Sequence, residues 1–391
     1  MKEDINSCLQ SQEETQKSEA SNGIDNQRLL QAADYEFRTE KQNNQIVSVV
    51  KKIRNIKECH LIIPQYDDQG RPIVAIAENA CQYVGEQLTS LTIPKGITRI
   101  GGRAFYSCSA LSQVNLPDGL QRIDEFAFCR TLLIGVTVPQ SVTMIGCGAF
   151  ACSSLTELIV DSTNSHYHSR DNCIINTSNN QLVCGCKNSV IPPYVKSIYL
   201  HAFANSKELT AITIPEGVTQ IGNYAFTNCA DLKTVVMPNS VVSIDEGAFY
   251  ECVNLTSINI PEGVTSIGDF AFENCLALEE ITLPRSLTSV GGGMFQLCNN
   301  LKTINFSGTK HQWKKIRSTD YYYDHHMGDS QYALPATSKI NCRNGTTGLR
   351  GNNSLAKFFS YLIILPIGVV TLLINAVREL FGKLKKKKKK G

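Results

Sequence analysis

The chain repeats one unit, which in its clearest copy reads Leu255-Thr-Ser-Ile258-Asn-Ile260-Pro261-Glu-Gly-Val264-Thr-Ser-Ile267-Gly268-Asp-Phe-Ala271-Phe272-Glu-Asn-Cys275. The proline of the unit recurs at Pro215, Pro238, Pro261 and Pro284, and the phenylalanine after alanine recurs at Phe203, Phe226, Phe249, Phe272 and Phe295, every 23 residues in both cases. Self-similarity with a period of roughly 20 to 50 residues is typical of solenoids, in which each unit packs only on its neighbours. The period therefore predicts an elongated fold that offers a long surface to a partner instead of a catalytic pocket.

Each unit contains a segment with the pattern of a strand. Apolar and polar residues alternate toward the end of Leu88-Thr-Ser-Leu91-Thr-Ile93, which indicates a strand with one buried face. Proline then ends the strand, because it has no N–H to donate to a neighbour. Ala104-Phe105 follows as a small and a large core residue on a short helical or irregular segment. We expect nine or ten such turns, with equivalent strands paired in parallel at about 4.8 Å.

The cysteine content is high, at fifteen residues. Six of these cysteines follow the repeated phenylalanine by two or three residues, at Cys108, Cys152, Cys229, Cys252, Cys275 and Cys298. A free cysteine behaves as a small buried apolar residue. The spacing therefore favours a column of buried thiols, and disulfides between neighbouring turns are the alternative.

The regular pattern is interrupted between residues 161 and 200. Cys173–Ile175 and Gln181–Cys184, separated by Asn179-Asn180, predict a hairpin inside the stack. His166, His168, Asp171, Cys173, Cys184 and Cys186 crowd into this segment. Histidine and cysteine can bind zinc together, but the spacing matches no zinc finger. A metal-dependent enzyme using residues 161–186 is therefore an alternative hypothesis, and we predict no metal and no cofactor.

Residues 358–377 have the composition of a transmembrane helix. From Phe358 through Leu365 to Val377 there is no charged residue, and a helix of this length spans about 30 Å, the thickness of a bilayer core. A Lys-rich tail follows at 378–391. We therefore predict a single-pass membrane protein whose partners include the lipid bilayer.

The topology has two alternatives. Basic flanks resist translocation, so the tail is predicted to be cytoplasmic and the repeats extracellular. Met1–Gln45 contains no apolar run of the kind that a signal peptide needs, which conflicts with this arrangement. An unconventional or internal export signal would resolve the conflict, and the alternative is the opposite arrangement. In that arrangement the chain is a tail-anchored scaffold with its repeats in the cytosol.

The composition of the remaining segments completes the predicted domain organisation. Residues 1–32 are rich in Gln, Ser, Asn and Glu and are predicted to be disordered. The predicted order then runs: 33–86, an N-terminal cap and first repeat; 87–306, the solenoid, with its irregular turn at 161–200; 307–345, a C-terminal cap; 346–357, a linker; 358–377, the membrane helix; 378–391, the tail. The formal net charge of +3 comes from the tail, since residues 1–377 hold 30 basic and 34 acidic residues. Nucleic acid is therefore not a predicted partner.

The repeat pattern Leu-x-x-Ile-x-Ile-Pro-x-x-Val-x-x-Ile-Gly-x-x-Ala-Phe-x-x-Cys resembles the BspA-type leucine-rich repeat, and the resemblance extends from about Ala33 to Gly345. The resemblance implies an α/β solenoid, curved and right-handed, with a parallel β-sheet on one face and a cap at each end. It also implies adhesion or another interaction at a cell surface, without catalysis. Three positions depart from the pattern: Cys81 stands where phenylalanine is usual, His201 precedes Ala-Phe, and Cys129 lies outside the cysteine register.

The predicted binding surface is the outward side of the strands, where the side chains are short and mostly uncharged. The predicted ligand-binding residues are Thr92, Asn115, Thr137, Thr213, Asn259, Thr282, Thr303 and Asn305. This column contains none of the Trp or Tyr residues that usually anchor an interface, so we expect weak contacts strengthened by many copies on a surface. The predicted ligand is a protein or a glycan, and no catalytic residue is predicted. A solvated sheet face and a purely structural surface coat are the alternatives, and the oligomeric state stays open.

Overall fold

The structure is a computed structural model that describes residues 26–347, except 84–85, 153, 320–338 and 344. Most of the predicted disordered segment, nearly all of the linker, the predicted membrane helix Phe358–Val377 and the basic tail lie outside the described residues. The described part of the chain contains no helix with the length and apolar character that a membrane span needs.

The first half of the solenoid alternates strands of two kinds, one before and one after each proline-marked turn. Its elements are α1 (Asn26–Gln31), β1 (Asp34–Gln42), β2 (Gln45–Arg54), β3 (His60–Ile62), β4 (Ile73–Ile76), β5 (Ser90–Thr92), β6 (Arg99–Ile100), β7 (Gln113–Asn115), β8 (Arg122–Ile123), β9 (Gly135–Val138), β10 (Met144–Ile145) and β11 (Glu157–Val160).

The second half repeats this alternation after a three-stranded insertion. Its elements are β12 (Tyr167–Arg170), β13 (Cys173–Asn176), β14 (Gln181–Cys184), β15 (Ser197–Ile198), β16 (Ala211–Thr213), β17 (Gln220–Ile221), β18 (Thr234–Val236), β19 (Ser243–Ile244), β20 (Ser257–Ile258), β21 (Ser266–Ile267), β22 (Glu280–Leu283), β23 (Ser289–Gly291), β24 (Thr303–Phe306), α2 (Lys310–Trp313), β25 (Arg317–Thr319), β26 (Lys339–Cys342) and β27 (Gly345–Thr347).

The prediction of a parallel sheet on one face is incomplete, because the described residues carry parallel strands on two sides. The strands before each proline pair as β3-β5-β7, β9-β11, β16-β18-β20 and β22-β24-β26. The strands after it pair as β2-β4-β6-β8-β10 and β14-β15-β17-β19-β21-β23-β25. Equal repeat lengths place equivalent residues opposite one another, as in Ile221↔Ile244 and Ile244↔Ile267. We call the outward side of the strands before each proline the strand face. The outward side of the strands after each proline is called the second face.

The solenoid has about eleven turns, not nine or ten. The difference arises in the caps, where β3 and β26 add strands to the strand face although their sequences depart from the repeat.

The segment that carries Ala-Phe is a series of turns and not a helix, so the expected α/β class is corrected to a β-solenoid. The N–H groups of Arg103, Phe105 and Ser107 donate to carbonyl oxygens of the next turn at 2.9, 2.8 and 2.9 Å. Arg103 and Ser107 have φ values of 52° and 57°, on either side of Phe105. The N–H groups of Ala104 and Tyr106, which alternate with these, donate within the turn to the residue three before, both at 3.2 Å. Because every second N–H bonds to the next turn, the segment does not continue as a helix. We call this third side the turn edge.

The repeated phenylalanines form a ladder at the centre of the solenoid, as their spacing predicts. Phe203, Phe226, Phe249 and Phe272 stack with ring centroids 4.9, 5.3 and 5.4 Å apart, and all four side chains are buried. Each ring therefore packs on the turn before and the turn after, so no turn has a complete core alone.

The cysteine column is buried beside this ladder. The thiols of Cys229, Cys252 and Cys275 donate to the carbonyl oxygen of the phenylalanine in the preceding turn, at 3.1, 3.2 and 3.3 Å. In the first turn Cys81 takes the place of that phenylalanine, and Cys108 donates to its carbonyl oxygen at 3.2 Å. Cysteine is suited to this position because it fills a small apolar space and also supplies a weak donor.

The predicted hairpin at 173–184 is confirmed. β13 and β14 pair antiparallel, and β12 adds a third strand on the other side of β13. β14 then continues in parallel with β15, so the hairpin joins the second face and not the strand face.

The caps differ from the expected boundaries at both ends. Disorder is expected through residue 32, but Asn26–Gln31 forms α1, whose Asn26 amide donates to the carbonyl oxygen of Tyr66 at 3.0 Å. The antiparallel pair β1-β2 then covers the first turn. At the other end, residues 346–347 belong to β27, which pairs with β26, so this part of the predicted linker is a strand. Between them α2 begins with a capping box of Thr309 and Gln312, and Trp313 packs on Phe306 at 5.3 Å.

Candidate binding face

The strand face presents the predicted ligand-binding residues in line. Each of these residues has an exposed or half-exposed side chain: Thr92, Asn115, Thr137, Thr213, Asn259, Thr282, Thr303 and Asn305. The register of the parallel strands aligns them, as in Thr92↔Asn115 and Thr282↔Asn305. Whether this column binds a ligand stays a prediction.

The insertion divides this face into two stretches. Thr92, Asn115 and Thr137 lie on β5, β7 and β9, and Thr213 begins the second stretch on β16. Ile159 pairs with Thr137 and is 40% exposed, so it belongs to this column although it was not among the predicted residues. No proline follows β11, so the usual marker of register is absent there. Counting back from Val160, the equivalent of Val138, would have found it.

A shallow recess of about 510 Å³ lies on the second stretch, between β18, β20 and β22. Its rim carries Thr234, Val236, Ser257, Asn259, Glu280 and Thr282. The recess coincides with a break in the sheet, because β20 ends at Ile258 and only an isolated bridge, Asn259↔Thr282, connects it to the next turn. Of the predicted residues, the recess brings Asn259 and Thr282 together, and Thr303 and Asn305 lie on the neighbouring strand.

The side chains beside the recess are held by a cross-strand chain of hydrogen bonds. The Asn305 amide donates to the Glu280 carboxylate, and the Asn341 amide donates to the Asn305 oxygen at 3.1 Å. Val236, at 58% exposure, supplies apolar surface on the opposite side. Hydroxyls, amides and a carboxylate around an exposed aliphatic group can recognise a peptide or a sugar.

The insertion does not assemble the metal site that its composition suggested as an alternative. Within the described residues, no group of three or more His, Cys, Asp or Glu is placed to hold a metal ion. The His168 ring instead contacts Thr177 Oγ1 and the Tyr194 hydroxyl, both at 3.1 Å. Cys173 lies against backbone carbonyl oxygens, and burial raises its pKa to about 12.

The buried thiols of the ladder are unsuited to nucleophilic chemistry. Burial raises the pKa of Cys229 and of Cys152 to about 12. The thiolate, which is the reactive form, is therefore scarce at neutral pH.

Comparison with known proteins agrees with this architecture. Residues 74–195 and 196–324 match the model of the BspA type leucine rich repeat region, in six copies. The chain is therefore a leucine-rich repeat protein, and it belongs to the BspA-type family. No curated protein sequence matches it.

Solved structures are similar over most of the chain. The pneumococcal vaccine antigen PcpA is 19% identical with a TM-score of 0.56, and the match covers 80% of this chain and 92% of that one. A leucine rich cell surface protein from Faecalibacterium prausnitzii is 26% identical with a TM-score of 0.48, covering 73% of this chain and 96% of that one. A leucine-rich repeat protein from Eubacterium ventriosum is 18% identical with a TM-score of 0.46, covering 81% and 98%. The similarity to PcpA supports the solenoid fold.

Proposed function

We propose that this chain is a membrane-anchored interaction protein that binds a protein or glycan ligand through the strand face. The observation that carries the proposal is the recess between β18, β20 and β22, where Asn259 and Thr282 lie beside exposed Val236. Polar groups and apolar surface occur together there in a concave site, as is usual for ligand sites.

Family membership supports a binding role without catalysis. BspA-type solenoids are typically non-catalytic, and the resemblance implies adhesion or interaction at a cell surface. We place the repeats outside the cell with the Lys-rich tail in the cytoplasm, and Phe358–Val377 as the anchor. Protease treatment of intact cells tests this topology: digestion of the repeats supports it, and protection would favour the tail-anchored arrangement.

The binding proposal is tested by changing the strand face. A panel of matrix proteins and glycans first identifies a ligand for the chain. Simultaneous Asn259→Lys, Thr282→Lys and Thr303→Lys substitutions then place three long charged side chains at and beside the recess. We expect the affinity to fall at least about a hundredfold, because central interface positions carry most of the binding energy.

The matched control places the same three charges on the second face. Thr143, Thr219 and Thr288 are exposed there, and each carries a hydroxyl as two of the tested residues do. Lysine at these three positions should leave the affinity unchanged. Equal losses for both triple variants, or full affinity for the strand-face variant, would place the ligand elsewhere.

A further inference from the structure

The turn edge carries aromatic side chains, unlike the strand face. Tyr83 and Tyr106 contact each other at 5.6 Å, Phe126 contacts His201 at 4.9 Å, and His201 stacks on Tyr224 at 5.4 Å. These side chains follow one another along the outside of the turns. Tyrosine is among the residues that most often anchor an interface.

At the N-terminal end of this edge the protein supplies its own cations. The Arg103 guanidinium lies over the Phe126 ring at 5.3 Å, and the Arg130 guanidinium lies over the Tyr106 ring at 5.8 Å. A guanidinium or ammonium group is attracted to the negative face of an aromatic ring. The aromatic faces at this end are therefore already occupied.

At the C-terminal end the aromatic residues are surrounded by carboxylates. The Tyr224 hydroxyl donates to the Glu246 carboxylate at 2.6 Å, and the Tyr224 and Tyr250 rings contact edge to face at 6.4 Å. The backbone bond from Glu251 N–H to the Glu273 carbonyl oxygen, 2.9 Å long, places those two residues on adjacent turns. We call these five residues, Tyr224, Glu246, Tyr250, Glu251 and Glu273, the acidic cluster.

Glu273 is the informative member of this cluster. The residue is only 8% exposed, and among the described residues no hydrogen bond or ion pair is made to its carboxylate. Glu273 holds in its turn the position that Tyr250 holds in the turn before, and the backbone bonds from Phe249 and Glu251 to Ala271 and Glu273 place the two side by side. The charge of Glu273 also contributes to raising the pKa values of Tyr250 and Tyr224. A buried carboxylate without a partner costs free energy, and an incoming cation would recover it.

The chemistry of the cation follows from the spacing of the groups. The described carboxylates do not converge closely enough to form a metal site. Aromatic faces next to separated carboxylates suit an ammonium group on a flexible stem, because the stem packs on the rings while the charge meets the acids. We propose that the acidic cluster binds the lysine side chain of a partner protein.

Binding is expected to depend on pH through Glu273. Burial, with a contribution from Glu251, raises the pKa of Glu273 to about 7. The titratable groups around it are Glu251 and the two phenols, with Glu246 on the Tyr224 hydroxyl and His201 stacked on the Tyr224 ring. The phenols have raised pKa values, and burial lowers the pKa of His201 to about 4. The two phenols and the imidazole therefore stay neutral around neutral pH. Affinity for a cation should therefore rise as Glu273 loses its proton, from about pH 6 to about pH 8.

The test uses the full-length chain in neutral detergent and a pentalysine peptide, followed by isothermal titration calorimetry. All proteins carry Lys385–Lys390 changed to glutamine, so that the chain's own lysines do not compete with the probe. We expect Glu273→Gln to weaken pentalysine binding about tenfold at pH 8, as loss of a desolvated charged contact would. The matched control Glu216→Gln removes an exposed carboxylate outside the cluster and should change nothing.

Two further measurements make the result decisive. Tyr250→Leu keeps an apolar side chain but removes the ring and its hydroxyl, and it should weaken binding as well. A pentapeptide of acetyl-lysine, which has the same stem without the charge, should not bind. Melting curves of each variant establish that it is folded.

Several outcomes would overturn the proposal. Unchanged pentalysine affinity for folded Glu273→Gln would remove the site, and an equal loss for Glu216→Gln would show only general attraction to negative charge. Calcium binding that is lost in Glu273→Gln, without peptide binding, would make the ligand a metal ion. Self-association that is lost in that variant would make the occupant a second copy. None of these results depends on whether the strand face binds a ligand.

Discussion

The strand face and the turn edge are built by the same repeat but carry different chemistry. On the strand face the repeat holds short side chains such as Thr213 and Asn259 in register, since each residue pairs with its equivalent one turn away. On the turn edge, left-handed positions are occupied by large side chains such as Phe126 and Tyr224, with φ values of 55° and 53°. The regular strand pairing thus limits the size of the side chains on the strand face, whereas the turns accept large side chains on the turn edge.

Large side chains fit on the turn edge because the next turn leaves space for them. A Cβ atom on Gly247 would lie 2.2 Å from the Tyr224 ring, and one on Gly293 would lie 2.6 Å from the Phe270 ring. The Tyr224 and Phe270 rings therefore each lie over a glycine of the next turn, whereas the His201 ring lies over the Tyr224 ring. The strand face has no such contact between a ring and a glycine, because its side chains point away from the stack.

The largest effect should come from the core that both surfaces share. Phe226→Ala removes a ring stacked between two others and leaves a cavity, which costs about 3 to 5 kcal/mol. Chemical denaturation monitored by circular dichroism measures this loss. Val236→Ala, on the exposed strand face, should cost less than about 0.5 kcal/mol. A comparable loss for both would mean that the phenylalanine ladder does not carry the stability.

A smaller effect should distinguish the turn edge from an ordinary loop. Gly247→Ala forces the Tyr224 ring to move and should destabilise the protein by about 1 to 3 kcal/mol. Gly70→Ala is the matched control, since Gly70 also has positive φ but open space around it. Its cost should be limited to backbone strain, about 1 kcal/mol. Equal costs in thermal melts would show that the ring does not pack on the glycine.

The smallest effect should be a gain in stability that depends on pH. The pKa of Glu273 is raised from 4.5 to about 7 in the folded protein, so the folded state holds this proton more tightly than the unfolded state does. Stability therefore falls as the pH rises through that interval. Glu273→Gln should raise the free energy of unfolding at pH 8 by on the order of 1 kcal/mol, and should change it little at pH 4.

Thermal melts of both proteins at the two pH values measure this gain. Identical melting temperatures at pH 8 would contradict a buried, uncompensated carboxylate. A Glu273→Gln variant that is more stable but binds pentalysine more weakly would show that Glu273 serves binding and not the stability of the fold.

The repeat features could be predicted because they depend on contacts between equivalent residues. The buried ladder at Phe226 and Phe249 follows from spacing alone, since a period makes each turn the neighbour of its copy. The hairpin at 173–184 follows from local strand and turn signals. The second face was missed because segments such as Gln220–Ile221 are too short to show alternation, and they become strands only when the preceding turn lies beside them.

The candidate site could be predicted only in part for a related reason. The outward column containing Asn259 and Thr282 follows from counting back from each proline. The recess between them depends on the interrupted pairing between β20 and β22. No residue type in the sequence indicates where that pairing is interrupted. The acidic cluster was missed because Tyr224 precedes Ala-Phe in its turn, whereas Tyr250 and Glu273 follow Ala-Phe in theirs, so the cluster combines two different positions of the repeat.

The sequence alone determined the period, the inward phenylalanines and cysteines, and the family. The stacked turns decided the rest: two parallel faces, turns in place of helices, and the encounter of Glu273 with two tyrosines. The physical reason is that periodicity specifies which residues recur one turn apart. Contacts between unlike positions depend on how the backbone bends within a turn, and that bend is set by hydrogen bonds to the neighbouring turns.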